Sequence, residues 1–286
     1  MDNFSSRVAA ASLRLLPRTR LSRAVGRLAD ARVSAGVLDK AVDAFVRAYG
    51  VDLSEAEVPA GGFPSFDAFF TRTLRPGARP INSDPGVLVS PADGRFDDSG
   101  AILGDGSFVV KGQVYQTGEL LGHGGDAAQF EGGAYAVVYL APPDYHRVHA
   151  PVRGRVRAAR HVGGTLYPVN EIGTRHVPGL FAKNERIAVI QQVEGGGAVA
   201  SILVGAIGVG RITLSFDPMR SNTGSLGETR DYGSHGPLLE RGAELGMFHL
   251  GSTVVLLTSK ELATQFTVER GARTRVGERL ALVGGR

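Results

Sequence analysis

Near the C-terminal end of the chain, a Gly–Ser peptide bond stands at the entrance to an apolar run: Leu250-Gly251-Ser252-Thr253, followed by Val254-Val255-Leu256-Leu257. Glycine carries no side chain to block approach to its carbonyl carbon. A serine hydroxyl relieved of its proton by a base is a nucleophile. Attack of the Ser252 hydroxyl on the Gly251 carbonyl would shift the acyl group from nitrogen to oxygen. β-Elimination from that ester would leave a dehydroalanine, and hydrolysis of its imine tautomer a pyruvoyl group. Two other segments carry the partners such chemistry needs. Ser90-Pro91-Ala92-Asp93-Gly94 sets an aspartate in a rigid turn, and Tyr145-His146-Arg147-Val148-His149 sets two histidines three residues apart. Asp, His and Ser are the parts of a serine-activating triad, in which His takes the hydroxyl proton and Asp fixes the imidazole. Plainer roles are open to each. Gly–Ser is a common turn, and Asp before Gly a common Asx-turn. The histidine pair could be structural. A metal site is not assigned, because neither a thiolate nor a His-Glu-x-x-His pattern accompanies the pair.

Residues three apart face opposite sides of a strand and converge only in a turn or helix, so the surrounding elements decide what these side chains can do. Residues 1–50 read as helical. Leu21, Val25 and Leu28 recur at helical spacing beside a stripe of Arg20, Arg23 and Arg27, and Pro17 separates a first helix from a second. Ala41, Val42, Phe45, Val46 and Tyr49 predict a further helix closed by Gly50. Phe63–Arg75 predicts a short helix with Ser65 as N-cap. From about residue 85 the period changes. Ala134–Leu140, Ile187–Val193, Val199–Ile207, Arg211–Phe216 and Thr253–Leu257 read as strands, and Glu194-Gly195-Gly196-Gly197 as a hairpin turn. No long helical pattern separates these strands, which argues against a doubly wound parallel sheet. The expected fold class is α+β: N-terminal amphipathic helices over 1–84, then one mostly antiparallel β core over 85–286.

Composition narrows the classes. The 286 residues are 43% hydrophobic and 21% charged, a globular balance, and contain no cysteine, so disulfides and thiol chemistry are excluded. The net charge of +4 is uneven: residues 1–50 hold nine Lys+Arg against four Asp. That asymmetry points to an anionic surface, membrane or nucleic acid. The longest uncharged apolar stretch, Gly195–Gly210, is 16 residues long with six glycines, short of the roughly 20 that a spanning helix needs. Arg14 interrupts Val8–Leu16, which argues against a secretory signal, and the Arg-rich, acid-poor start also fits a transit peptide. A basic amphipathic helix can lie in the headgroup region of an anionic bilayer or be a solvated face.

The ordered set Phe69-Phe70-Thr71-Arg72, Pro91-Ala92-Asp93-Gly94, Tyr145-His146-Arg147-Val148-His149-Ala150-Pro151, Phe181-Ala182-Lys183-Asn184-Glu185-Arg186, Val204-Gly205-Ala206 and Leu250-Gly251-Ser252-Thr253 resembles phosphatidylserine decarboxylase proenzymes of the bacterial and mitochondrial type. The resemblance runs through nearly the whole chain. It implies a self-cleavage triad of Asp93, His149 and Ser252, with cleavage between Gly251 and Ser252 into a β chain, 1–251, and an α chain, 252–286. Ser252 would become a covalent pyruvoyl cofactor that condenses with the substrate amine and accepts the electrons released with CO₂. His146 would donate the proton that follows. The resemblance further implies phosphatidylserine as substrate, phosphatidylethanolamine as product, a homodimer, and a peripheral place on the cytoplasmic side of a bacterial cell membrane. Arg14, Arg18, Arg20, Arg23 and Arg27 would then dock the helices on an anionic membrane surface.

Three other readings compete. A pyruvoyl-dependent decarboxylase of another amino acid or serine phospholipid would share the cleavage chemistry. A non-enzymatic lipoyl- or biotinyl-like β domain is suggested by Ala150-Pro151-Val152-Arg153-Gly154-Arg155-Val156, but no Met-Lys equivalent accompanies it. A nucleic-acid binder rests on the arginine stripe alone, without a motif or aromatic interleaving, so no nucleic-acid partner is expected.

Overall fold

The computed structural model describes residues 18–208, 210–249 and 252–284. Arg14, Pro17, Leu250 and Gly251 lie outside the described residues, as do the side chains of Arg18, Arg20 and Leu21.

Helix α1 (Arg18–Asp30) packs by its small residues: Ser22, Gly26 and Ala29 are buried, while Val25 is half-buried and Leu28 is 73% exposed. The apolar spacing is therefore not the buried face. Helix α2 (Ala35–Tyr49) buries Leu38 and Val42 and ends at Gly50, whose φ of 66° sends its N–H back to the Val46 carbonyl. That left-handed conformation is one that glycine adopts without a Cβ penalty. Helix α3 (Phe66–Phe70) starts where Ser65 Oγ accepts from the Ala68 N–H at 3.1 Å. It is shorter than the aromatic pattern predicts. Beyond Thr71 the chain extends to pair with residues 55–57, through Glu57 N–H to Thr73 O and Arg75 N–H to Glu55 O. Phe45 meets Phe66, Phe69 and Phe70 edge-on at centroid distances of 5.3, 5.7 and 6.1 Å, which gives the helices their own small core.

Seventeen strands follow among the described residues: β1 (Val87–Val89), β2 (Gly94–Ala101), β3 (Ser107–Val110), β4 (Gln113–Gln116), β5 (Ala134–Leu140), β6 (Arg147–His149), β7 (Gly154–Val162), β8 (Arg186–Val193), β9 (Ala198–Gly205), β10 (Arg211–Leu214), β11 (Gly227–Asp231), β12 (Leu238–Leu239), β13 (Glu244–His249), β14 (Ser252–Thr258), β15 (Gln265–Phe266), β16 (Arg273–Thr274) and β17 (Arg279–Leu282). A nine-stranded sheet runs β11-β7-β8-β9-β14-β5-β2-β16, with β12 also beside β7. Three-stranded sheets β1-β17-β15 and β10-β13-β6 and the hairpin β3-β4 complete the core. Every paired strand is antiparallel, as the alternating pattern predicts. The turn Glu194–Gly197 joins β8 to β9, with φ of 89°, 113° and 84° at its three glycines.

The large sheet is covered on both faces. Along β14, Val254 and Leu256 join one apolar cluster with Leu88, Val148, Ile212 and Phe248 of the smaller sheets. Val255 and Leu257 join the other, with Phe108, Tyr115, Leu120 and Phe181. The period-2 alternation thus feeds two cores rather than a core and a solvent face, so β14 reads as a continuous apolar run.

Candidate active site

The sheet register brings distant residues to one end of its central strands. Ser252, the first residue of β14, stands opposite Leu140 at the end of β5 and Gly205 at the end of β9. On the other side of β5, Arg95 pairs with Tyr139, which puts Asp93 at the same end. The chain leaving Leu140 turns through Ala141–Asp144 and returns as His146, whose carbonyl accepts from Phe248 N–H at 2.9 Å. Backbone bonds fasten His149 to the aspartate turn: its N–H donates to Pro91 O at 2.7 Å, and Ser90 Oγ closes that turn on Ala92 O at 2.8 Å. Asp93, His146, His149 and Ser252 are all buried or nearly so and belong to one region.

No hydrogen bond joins Asp93, His149 and Ser252 into a chain among the described residues. Asp93 is gripped by Arg79, whose Nε lies 3.0 Å from each carboxylate oxygen and whose Nη2 lies 2.5 Å from Oδ2, and it accepts Val276 N–H at 2.9 Å. Arg79 also reaches Glu55 at 2.8 Å. Burial alone would pull the Arg79 guanidinium down, but the two carboxylates hold it well above its ordinary value. His149 Nδ1 lies 2.8 Å from Gly242 O, so Nδ1 carries the proton and the neutral ring presents its lone pair at Nε2. There the Tyr145 hydroxyl donates at 3.2 Å. Burial lowers the His149 pKa, against the hydrogen bond to Gly242 O and the charges of Glu244 and Asp93, which push it back up. Burial likewise raises the Tyr145 phenol.

His146 is fully buried, and its pKa is pushed down to about 3, first by burial and then by the Arg72 charge, against the hydrogen bond to Asp144. Its Nδ1 donates to Asp144 O at 2.8 Å, which leaves Nε2 a lone pair without a partner among the described residues. Ser252 Oγ is also buried without a partner among the described residues. The Phe69–Arg72 segment explains part of this environment. The Phe70 ring lies 4.1 Å from the His146 ring, and Arg72 donates to Pro143 O at 2.9 Å, tying down the loop before His146.

A second cluster abuts the site. His249 Nδ1 is 2.8 Å from Asp67 Oδ1, and its Nε2 is 3.1 Å from Thr213 Oγ1. Arg211 bridges Asp30 of α1 at 2.6 Å and Asp67 at 3.1 Å. The helices are thereby tied to the strand that leads into Ser252. Sequence reasoning nominated none of Arg79, Tyr145, Arg72, Asp67, Thr213, Arg211 or His249 for a site role. Only Arg72 and Tyr145 lay within quoted motifs.

The register and the backbone bonds set a hydroxyl, an acid and two imidazoles towards one end of an antiparallel core. Comparison with known proteins narrows the class. The family model for phosphatidylserine decarboxylase matches residues 66–282. The chain is 42% identical over 275 residues to a phosphatidylserine decarboxylase proenzyme of Shewanella baltica, covering 93% of this chain and 94% of that protein. It is also 42% identical over 277 residues to the proenzyme of that name from Shewanella pealeana, covering 94% and 96%. The chain belongs to the phosphatidylserine decarboxylase family and is a decarboxylase.

Proposed function

We propose that the chain is a proenzyme that cuts itself between Gly251 and Ser252 and converts Ser252 to a pyruvoyl group. With that group it turns phosphatidylserine into phosphatidylethanolamine and CO₂ at an anionic membrane surface. The observation that carries this reading is Ser252 Oγ, buried without a hydrogen-bond partner among the described residues, at the head of a central strand and at the same sheet end as the Asp93 turn. An unpaired buried hydroxyl costs free energy, and the proposed reaction gives this one a use. The products would be chains 1–251 and 252–286, with residues 1–84 as the membrane-associating region and 85–286 as the catalytic domain.

In the self-cleavage step, Oγ of Ser252 loses its proton to a histidine lone pair and bonds to the Gly251 carbonyl carbon. The Gly251–Ser252 C–N bond breaks, and the freed nitrogen takes the proton. Loss of the Ser252 Cα proton then expels the Gly251 carboxylate, and water releases ammonia from the imine. His149 Nε2 is the base. Transfer to it passes through or displaces the Tyr145 hydroxyl, and Asp93 stabilises the imidazolium through its field. Residue 252 fits the covalent group, because no side chain among the described residues claims its oxygen. Once formed, the group supplies the carbonyl that receives the electrons released with CO₂. His146 is neutral because its ring is buried. A substrate carboxylate facing Nε2 offsets its burial and lets it hold the proton that it later delivers.

The swapped assignment, with His146 as cleavage base, is favoured by one observation: its Nε2 is free, whereas that of His149 is held by Tyr145. Single replacements decide. A His149 variant that stays uncut, with a His146 variant that cuts but does not decarboxylate, supports the first assignment; the opposite pattern supports the second. The primary test is intact mass spectrometry of denatured protein. Two species, 1–251 and a pyruvoyl-blocked 252–286, are expected, and a chain that stays whole on long incubation overturns the reading. No helix among the described residues is long and apolar enough to cross a membrane. Docking on the cytoplasmic face through the basic helices is tested by vesicle co-sedimentation without residues 1–32, where unchanged binding would refute it.

A further inference from the structure

Helix α1 carries two unlike surfaces side by side. On one, Arg23, Gly26, Arg27 and Asp30 face Arg211 and the 220–223 loop across a cavity of about 290 Å³. Four guanidinium groups line it against a single carboxylate, and Asp30 is already engaged by Arg211. Among the described residues, Arg27 and Arg220 have no acidic partner within salt-bridge distance. Holding unpaired like charges around one cavity is unfavourable until an anion enters, and guanidinium groups suit a phosphate's oxygens. On the adjoining surface, Val25, Leu28, Ala29, Val37, Leu38 and Phe66 line an apolar cleft of about 360 Å³ between α1 and α2. Leu28 and Val37 stand exposed there.

The arginine cavity sits beside the strand that leads into the reacting serine. Arg211 pairs with His249, three residues before Ser252, so at most about 11 Å of chain separates that register position from the reacting serine.

The structure assigns the arginine cavity to the phosphodiester of a glycerophospholipid, with an acyl chain in the α1–α2 cleft. This rests on the lipid-decarboxylase reading and deepens it: Arg27 and Arg220 are residues that select a phosphodiester-bearing substrate. A free phosphate would use the arginines but leave the apolar cleft without a role, which favours the lipid as source. The arginines of α1 then serve partly as walls of a binding site and not only as a solvent-facing stripe.

The test uses the full chain and its Arg27→Gln/Arg220→Gln double variant, both residues exposed and outside the cleavage machinery. Self-cleavage by intact mass and the thermal midpoint should match wild type. In mixed micelles the variant's KM for phosphatidylserine should rise about tenfold with kcat within about twofold, the loss expected for charge-assisted contacts made equally in ground and transition states. Phosphatidylglycerol, which has the phosphodiester but no amine, should bind wild type and compete, and bind the variant about tenfold more weakly. Equal phosphatidylglycerol affinity in both proteins, or an unchanged KM, overturns the assignment. Inorganic phosphate binding as tightly as the phospholipid overturns the lipid source. A wild-type protein that binds phosphatidylglycerol but never decarboxylates phosphatidylserine fails the functional reading while leaving the cavity assignment standing.

Discussion

Replacing Arg79 by methionine tests how Asp93 is kept in working order. In the native site, Asp93 is 7% exposed at its side chain and Arg79 11%, and the two meet through Nε and Nη2 together. Among the described residues, Val276 N–H is the only other hydrogen-bond donor to Asp93. Removing one member of a buried ion pair strands the other, a change that costs about 3–5 kcal/mol. Against a total stability of about 5–15 kcal/mol, that is a large share. At about 2–4 °C per kcal/mol for a domain of this size, the midpoint should fall by roughly 10 °C. Without Arg79 to hold it, the carboxylate would also lose its fixed position, so its field at His149 would weaken and self-cleavage would slow. The assays are thermal unfolding and a time course of chain cleavage by intact mass, both at a temperature where the variant is folded. Arg79→Lys should recover part of the stability and part of the rate, because it restores the charge without the fork. Cleavage at the wild-type rate in folded Arg79→Met would refute the claim that Asp93 works as a charge held by Arg79.

Other outcomes follow from the same geometry. Because the native pKa values of His146 and His149 lie below the ordinary histidine value, the unfolded chain binds more protons below about pH 6.5. Their burial is therefore fully tolerated above that pH and costs stability as pH falls, for His146 down to its native value of about 3. A folded His146→Gln protein should show a shallower acid-side loss in urea titrations at a pH series; an identical slope would contradict the buried neutral ring. Gly94→Ala places a Cβ 2.4 Å from Tyr139 O, so it should push β2 away from β5, cost about 1–3 kcal/mol and slow cleavage, as read by denaturation and mass. Asp67→Ala removes the acceptor shared by His249 and Arg211 and should destabilise by about 1–3 kcal/mol. Its calorimetric signature should include earlier loss of the helices, seen as a low-temperature shoulder.

Local signals in the chain are strong where one element settles the matter. Gly50 closes α2, Ser65 caps α3 and the glycine run after Glu194 turns β8 into β9, because each depends only on its neighbours' backbone. The strand pattern also shows which segments are apolar, but not that β14 lies between β5 and β9, since pairing is decided by long-range register. The site divides the same way. Asp93, His146, His149 and Ser252 are legible as motif residues. Arg79 is one arginine among many, and nothing near it in sequence shows that it clasps a carboxylate fourteen residues on. His249 sits beside the Gly–Ser bond, yet its partners are Asp67 and Thr213, 182 and 36 residues away. Leu28 misleads in the opposite sense. Its spacing fits a core-facing helix, but the face that packs is the small-residue one, where Ser22 Oγ accepts from Gly208 N–H and Gly26 and Ala29 are buried.

The position of β14 bears on the lifetime of the enzyme as a manufactured object. Its seven residues pair on both sides, with β5 and with β9, and every one of them is buried. A fragment beginning at Ser252 would also contribute β15, β16 and β17, which bind Arg95 of β2 and Val87–Val89 of β1. Such a piece cannot be withdrawn without opening both cores, so it cannot be exchanged for a fresh copy. A dissociable cofactor can be replaced when it is chemically spoiled; a group built from Ser252, as proposed, could not be. One misdirected turnover that destroys the group would retire the whole molecule, and cells could restore activity only by synthesising the chain anew.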